Sequence, residues 1–338
     1  MKFLILVTSL TSLCICNGLR AQAPSPAHEQ TEAYAFMLYG QESHKPGLAT
    51  AIYNLREFDK ERPVVVITPN ASPAMVRDLA KLNVTVLERP AVPGPTFCND
   101  NVGEGKDRLL NSFFKAHIWN LTQFRTVLYL ESDMLFRRPL DELFGRIRRV
   151  RGEQALVIAP RGHSTCEDGD FQPTWAWRKW NTGIMALRPS QRFSSYYLRA
   201  ITRPGRRYSC YGGSQELENI LFAELLQEKR QLQTPALVCM PIRWNCKDKF
   251  CVQDAAVVHW TGERKPWDGA RGFDQFLPDW QSKRQLAARE AGIRMSEGAE
   301  RDSSAPDVAA EDELLRSLGR EWTQREQAVE ALLSHDPA

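Results

Sequence analysis

The most constraining stretch of the chain is Val127 to Asp133, VLYLESD, where a run of apolar, β-prone residues stops at two carboxylates one residue apart. A run of this kind suits a strand buried on both faces of a parallel sheet. Carboxylates do not suit the interior of such a strand. They suit its C-terminal end, where open α/β sheets bind ligands. Residues i and i+2 of a strand point to one side, so Glu131 and Asp133 can converge on one point. Two hard oxygen ligands aimed at one point read as a divalent-cation site, and such a cation commonly bridges protein to phosphate. The competing reading is a strand followed by a solvated acidic turn.

What precedes this stretch alternates. Ala33 to Tyr39, Val64 to Thr68 and Val84 to Leu87 read as strands. Between them, Gly47 to Arg56 carries Leu48, Ile52 and Leu55 at helical spacing, and Ser72-Pro73 starts a second helix with a stripe of Met75, Leu79 and Leu82. Leu109 to Leu121 reads as a third helix. The order β-α-β-α-β-α-β predicts an α/β domain with a mostly parallel, doubly wound, Rossmann-like sheet flanked by helices. Further on, Ala155 to Ala159, Asn181 to Leu187, Ala236 to Met240 and Ala255 to Trp260 read as strands. Leu140 to Phe144 reads as a helical turn, Pro189 to Ile201 as a helix, and another helix opens at Gly212-Gly213. The domain is expected over 32–280. Residues 281–338 form a polar tail, partly disordered, with an exposed amphipathic helix expected at 313–333.

The N-terminus reads as an address and not as fold. Residues 1–23 contain FLILVTSLTSLCIC, a signal-peptide core in length and flank, followed by a linker at 24–31. Membrane attachment is expected only if that segment is an uncleaved anchor. Of eight cysteines, Cys98, Cys166, Cys210, Cys239, Cys246 and Cys251 lie beyond it, compatible with up to three disulfides in an oxidising lumen. A zinc site from Cys239, Cys246, Cys251 and His259 is the rival, but the spacing lacks a tight CxxC. Sequons stand at Asn70, Asn83 and Asn120. Localisation in the secretory pathway (ER or Golgi lumen) or outside the cell follows as an expectation. A net charge of +3 without a dominant basic run argues against a nucleic-acid partner.

Polar residues gather where strands end. Tyr39 beside Gly40 offers a ring on which a flat base can lie. Gly212, Gly213 and Gln215 open a helix whose free N–H groups suit an anionic or polyhydroxyl ligand. His259 ends an apolar run, with Gly262, Arg264 and Lys265 close behind it. A neutral imidazole is a good third ligand for a cation held by carboxylates, and a lysine neutralises phosphate as a point charge.

These pieces, in this order, resemble the glycogenin-like glycosyltransferases of family 8, which have the GT-A fold. The resemblance rests on Phe114 to Phe136, on Asn181 to Ser190 (NTGIMALRPS), on Gly212 to Asn219 (GGSQELEN) and on Val257 to Trp267 (VVHWTGERKPW). It covers about residues 32 to 268. It implies retaining transfer of a hexosyl unit from a UDP-sugar, such as UDP-glucose, to a glycan, glycolipid or glycoprotein, with Mn²⁺ as cofactor. By position it implies that Glu131, Asp133 and His259 hold Mn²⁺, and that Leu38, Tyr39 and Gly40 border the uracil. Ser132 would approach the ribose. Lys115 and Asn181 would contact donor phosphate or sugar, and Gly213, Gly262 and Lys265 would complete donor binding. Gln215 would lie beside the reacting carbon, with Lys265 and Asp133 sharing the catalytic work.

The chain departs from the family at three points. Glu131 stands where Asp is usual, Ser214 where Asp often precedes the Gln, and Arg161 where an Asp commonly contacts the sugar. The last tyrosine is Tyr211, so the late self-glucosylated tyrosine of glycogenin has no counterpart and an external acceptor is expected. Ser214 and Arg161 also keep open a second reading, a catalytically weakened protein that binds nucleotide-sugars or glycans. A third is a disulfide-stabilised secreted domain of other function.

Overall fold

The computed structural model describes residues 32–39, 44–92, 94–95, 110–150, 156–160, 172–173, 180–202, 213–230, 237–247, 251–261, 265–268 and 273–293. Strands β1 (Glu32–Met37), β2 (Val64–Thr68), β3 (Val84–Glu88) and β4 (Thr126–Leu130) pair in parallel in the spatial order β3-β2-β1-β4. Next comes β5 (Met134–Phe136), a three-residue strand just after VLYLESD that was not among the expected strands. The large sheet is completed by β6 (Leu156–Pro160), β7 (Gln172–Pro173), β8 (Trp180–Leu187) and β9 (Leu237–Cys239), in the order β4-β8-β6-β9-β7. Strand β10 (Val257–His259) pairs antiparallel with β5 in a separate two-stranded sheet.

The large sheet is mostly parallel, as expected, with four parallel pairings among seven. The exception that matters is β8, antiparallel to both β4 and β6. Its register with β6 slips between Ile158 and Ala159, so that Ile158 faces Met185 while Ala159 faces Asn181. This irregularity frees Thr182 and Gly183 from the ladder on that side. Bulges commonly re-aim side chains beside binding sites.

Alternation along the strands builds two cores. Tyr34, Phe36, Val64, Val66, Leu128 and Leu130 pack toward helices α1 (Lys45–Phe58), α2 (Pro73–Ala80) and α3 (Asp141–Arg149). Ala33, Ala35, Val65, Ile67, Val127 and Tyr129 point to the opposite face, under a 3₁₀ helix (Ser112–Asn120), α4 (Gln191–Thr202) and α5 (Ser214–Arg230). The result is helix, sheet, helix, the layering that a two-residue strand period imposes when both faces are apolar. Helix α2 starts as its sequence suggests: Ser72 accepts a hydrogen bond from Met75 N at 3.2 Å, with Pro73 in the first turn.

Two elements differ from expectation. Most of the expected helix at Leu109 to Leu121 is wound as 3₁₀, over Ser112–Asn120, and Phe113, Phe114, Lys115, Ala116, Ile118 and Trp119 are all buried. No Pro or Gly in this segment separates 3₁₀ from α winding in the sequence. The helical turn at Leu140 to Phe144 extends to Arg149 as α3, whose Leu143, Phe144 and Ile147 form its buried stripe. The chain is also helical across residue 280, in α6 (Leu277–Glu290), which Lys283–Glu57 (2.7 Å) and Tyr53–Glu290 (2.5 Å) tie to α1.

A third, smaller core of Leu135, Val258, Trp260, Phe273 and Trp280 backs β5 and β10. The disulfide Cys246–Cys251 belongs to it, and Cys239 is disulfide-bonded as well, so none of the three is a thiolate for the zinc site weighed above. Among the described residues no helix is long and apolar enough to cross a membrane. The N-terminal segment, Cys98, Cys166, Cys210 and residues 294–338 lie outside the described residues.

Candidate metal centre

The two carboxylates converge, though not by strand geometry. Strand β4 stops at Leu130, and Glu131 N still donates to Gly183 O at 3.0 Å, one step further along β8. The chain then bends through Ser132 and Asp133 into β5. The bend, and not an i, i+2 strand face, brings both side chains together. His259 arrives from β10, whose antiparallel pairing places it opposite Met134, the residue after Asp133. Trp260 N donates to Asp133 O at 3.0 Å and closes the junction.

One ligand atom from each of Glu131, Asp133 and His259 lies within 4.8 Å of the others. His259 Nε2 is 3.1 Å from Glu131 Oε2 and 3.3 Å from Asp133 Oδ1. A single N–H serves one of these well, and Asp133 Oδ1 is left buried without a hydrogen-bond partner among the described residues. A buried carboxylate oxygen in that condition is unfavourable unless something else meets it. The donor set suits a divalent cation: two carboxylates and an imidazole whose free nitrogen already faces them.

The imidazole is oriented from behind. Asn245 Nδ2 donates to Asn181 Oδ1 at 2.7 Å, which turns the Asn245 oxygen toward His259 Nδ1, also at 2.7 Å. Nδ1 therefore carries a proton, and Nε2 is the nitrogen left to meet a cation. Asn181 Oδ1 accepts from Gly183 N too, at 3.1 Å. Asn181 thus acts here as the far end of the chain that sets the histidine tautomer. Gly183 is the close approach: a Cβ built on it would lie 2.2 Å from His259 Cε1 and 2.8 Å from Glu131 Oε2.

Two ammonium groups flank the carboxylates. Lys115 Nζ lies 2.8 Å from Glu131 Oε1, and Lys265 Nζ lies 2.5 Å from Asp133 Oδ2. Burial alone would raise both carboxyls. For Glu131 the Lys115 charge and the His259 contact outweigh it, and for Asp133 the Lys265 and His259 charges do, so both are held low and ionised. Burial would lower His259, but the charge of Asp133, with the contact to Glu131, raises it.

The remaining expected site residues surround this centre to different degrees. Gln215 Oε1 accepts from Thr182 N at 3.1 Å, which fixes its amide against β8. Gly213 adopts φ +57°, a left-handed conformation that favours glycine, just before α5 begins. Tyr39 is half-buried and meets Phe114 edge-on at 5.1 Å, while Leu38 is buried in the core with its N–H bonded to Ile67 O. Ser132 is half-buried in the bend. Gly40, Gly262, Arg264 and Arg161 lie outside the described residues.

Residue-by-residue reading missed Asn245, Gly183, Thr182 and Asn219. Asn219 clamps α5 to β8: its Oδ1 accepts from Trp180 N at 2.6 Å and its Nδ2 donates to Trp180 O at 3.1 Å. The polar entry Asn181-Thr182-Gly183 into an otherwise apolar strand was the one available signal for two of the four.

No protein-family model matches the chain. Among curated proteins it is similar to a glycogenin of Neurospora crassa, 23% identical over 262 residues, covering 74% of this chain and 34% of that protein. It is 26% identical over 197 residues to a glycogenin of Komagataella phaffii, covering 57% of this chain and 44% of that one. It is 25% identical over 158 residues to human glycogenin-1, covering 46% and 39%. The chain thus spans less than half the length of these relatives. Among solved structures, the glycosyltransferase GlyE of Streptococcus pneumoniae aligns with TM-score 0.49 and 13% identity, over 78% of this chain and 62% of that one. The galactosyltransferase LgtC, in complex with donor and acceptor sugar analogs, aligns with TM-score 0.48 and 14% identity, over 76% and 95%.

Proposed function

We propose that this glycogenin-like chain is a glycosyltransferase that moves a hexosyl unit from a UDP-sugar, with retention, to a glycan, glycolipid or glycoprotein acceptor in the secretory lumen. The observation that carries the reading is the convergence of Glu131, Asp133 and His259, with an ammonium group against each carboxylate. The disulfides support a lumenal setting.

Glu131, Asp133 and His259 Nε2 would hold Mn²⁺. The cation, when bound, supplies Lewis-acid stabilisation of the charge that develops on the departing diphosphate. Lys265 is the second electrophile. It donates to Asp133 and, at 3.2 Å, to Trp260 O, so turning from the carboxylate to a phosphate oxygen keeps its backbone anchor. Lys115 is buried and donates to Glu131 and to both oxygens of Thr182, so it balances the carboxylate. Gln215 accepts from Thr182 N through Oε1, which leaves its amide N–H₂ as the group it would offer to a sugar. Charge stabilisation by preoriented groups in a dry site is the main lever available to such a centre.

The test is hydrolysis and transfer from a panel of UDP-sugars with Mn²⁺ present, using the wild type and Asp133→Ala. Turnover is expected for the wild type and none for the variant. Binding of UDP and Mn²⁺ without any turnover would favour the second reading, a binding protein in which Ser214 replaces the usual carboxylate. Turnover that survives in Asp133→Ala would refute the assignment of the centre.

A further inference from the structure

At the entry of β8 the ladder with β6 gives out. Pro160 stands opposite Trp180 and has no N–H to donate back to it. Ala159 is then paired with Asn181 and Ile158 with Met185, so no residue of β6 is paired with Thr182. The backbone groups of Trp180 and Thr182 are met all the same, and by side chains. Trp180 N donates to Asn219 Oδ1 at 2.6 Å, and Asn219 Nδ2 donates to Trp180 O at 3.1 Å. Thr182 N donates to Gln215 Oε1 at 3.1 Å, and Thr182 O accepts from Lys115 Nζ at 3.2 Å.

Over these two rungs the start of α5 takes the place of β6. Residues two apart on a strand turn their N–H groups to one side and stand about 6.6 Å apart. Residues four apart on a helix share a face and stand about 6 Å apart along its axis. Trp180 and Thr182 are two apart, Asn219 and Gln215 four apart, so one helical turn spans the gap that β6 leaves. The orientation of the Asn219 amide is forced. Its other Nδ2 proton goes to Gln215 O at 2.6 Å, and a flipped amide would set its oxygen against two carbonyl oxygens and its nitrogen against Trp180 N–H. Gln215 is thereby held at both ends, its backbone carbonyl by Asn219 and its side-chain oxygen by Thr182. The helix start is also tied to the 3₁₀ segment, where Ser112 Oγ accepts from Ser214 N at 2.7 Å.

We propose that Asn219 is a positioning residue for Gln215: it locks the first turn of α5 to the entry of β8, so that the Gln215 oxygen stays on Thr182 and its N–H₂ is the end left for the donor sugar. The inference rests on the reading in which Gln215 meets that sugar. Asn219 gives its oxygen and both Nδ2 protons to backbone groups, so it has no donor left for a substrate of its own. Without it, Trp180 O loses a donor that Pro160 cannot replace, and the first turn of α5 is free to shift. A shift of about 1 Å in a group that meets the reacting atoms is enough to cost about 100-fold in rate.

The experiment uses the full chain with Mn²⁺ and whichever UDP-sugar of the panel above the wild type turns over fastest. In Asn219→Leu, kcat is expected to fall by about 10- to 100-fold, with KM and Mn²⁺ affinity within about threefold of wild type. A role confined to the fold would lower the melting temperature and leave kcat of the folded protein unchanged. The Thr182 amide is expected to exchange with deuterium at least about tenfold faster than in the wild type, while the amide of Met185, inside the intact ladder, keeps its rate. Gln215→Ala/Asn219→Leu is expected to be no slower than Gln215→Ala alone, because Asn219 acts through Gln215. Asn219→Asp keeps the acceptor for Trp180 N and lacks both donors. It must show the same kinetic loss, and it gives the answer should Asn219→Leu fail to fold. In the wild type itself the two Asn219 Nδ2 protons must exchange slowly by NMR, and free exchange there overturns the proposal without any variant. A kcat within about threefold of wild type in either Asn219 variant also overturns it, as do a loss confined to KM or Mn²⁺ affinity, an unchanged Thr182 amide, or losses that multiply in the double variant. A wild type that turns over no UDP-sugar sinks the proposed function and this inference together, whereas wild-type turnover with an unaffected Asn219→Leu removes this inference alone.

Discussion

Gly183→Ala is the sharpest probe of the centre, because it puts a methyl group in place of one hydrogen where no ligand is altered. Gly183 is not in the left-handed region, so backbone strain does not forbid alanine; only space does. The new Cβ would lie 2.2 Å from His259 Cε1, 2.8 Å from Glu131 Oε2 and 3.0 Å from His259 Nδ1. Carbon atoms settle at about 3.5 Å, so the imidazole must retreat by roughly 1 Å. Metal–ligand distances tolerate only about 0.2 Å. The ring cannot retreat alone either, since Nδ1 is held by Asn245 and the backbone by β5. Mn²⁺ affinity is therefore expected to fall by at least about 100-fold. Stability is expected to fall by only about 1–3 kcal/mol, the usual range for overpacking, offset by about 0.4–1 kcal/mol from the reduced freedom of the unfolded chain. The assay is Mn²⁺ calorimetry beside urea unfolding. Gly145→Ala in the middle of α3 is the control, since a Cβ there meets only Arg148 Nη2, at 3.8 Å. It should gain about 1 kcal/mol in helix propensity and bind Mn²⁺ as the wild type does. Wild-type Mn²⁺ affinity in Gly183→Ala would show that the close approach of β8 to His259 does not define the site.

Gly47→Ala places a Cβ 2.0 Å from the Trp267 ring, two residues beyond Lys265, and is expected to weaken UDP binding more than Mn²⁺ binding, measured by separate titrations. Lys265→Met leaves Asp133 buried without its ammonium and is expected to raise Mn²⁺ affinity while lowering UDP affinity; a fall in both would refute the exchange of Lys265 from carboxylate to phosphate. Burial would raise Asp59, but Arg62 and Tyr34 hydrogen bonds hold its carboxyl below the unfolded value. Its contribution is complete above the unfolded pKa and is lost as pH falls through the lower folded one, so urea midpoints of the wild type should drop more steeply than those of Asp59→Asn between about pH 5 and pH 1.

What the sequence made legible follows from how local each feature is. VLYLESD could be placed at a sheet's ligand-binding edge because an apolar run and two acids are local facts. The expected convergence of Glu131 and Asp133 was right in outcome and wrong in cause, since strand pairing ends at Leu130 and a bend replaces the strand period. Strand direction is a different matter. An apolar run reads alike in either direction, so nothing in NTGIMAL announces that β8 lies antiparallel between β4 and β6. Asn245 was invisible for a similar reason. A fully buried asparagine inside PIRWNCK has no periodicity to mark it, and its role exists only through contacts with residues 14 and 64 positions away in sequence. Glu218 stands in a helical stretch rich in acids, where an exposed face is the ordinary reading, and only its complete burial separates it from Glu216.

The two lysines supply much of the positive charge that the paired carboxylates of the centre require. Each carboxylate already has an ammonium at 2.8 Å or less, so the cluster is close to neutral before any metal or nucleotide is added. They are not equivalent, however. Lys115 is 4% exposed, sits in the buried 3₁₀ segment and is bonded to Glu131 and to both oxygens of Thr182. Lys265 stands two residues before Trp267, whose ring lies beside Gly47 of α1, and among the described residues one of its two bonds is to a carboxylate that a cation would claim. A fixed ammonium lowers the affinity of the site for cations at all times, while a movable one lowers it only until an anion offers itself. Under the proposed function, the pairing would favour joint arrival of a cation with a diphosphate over a cation alone, since the diphosphate would give Lys265 a new partner at the moment Asp133 is taken. That coupling is a property of where the two lysines are attached, and not of the three ligands themselves.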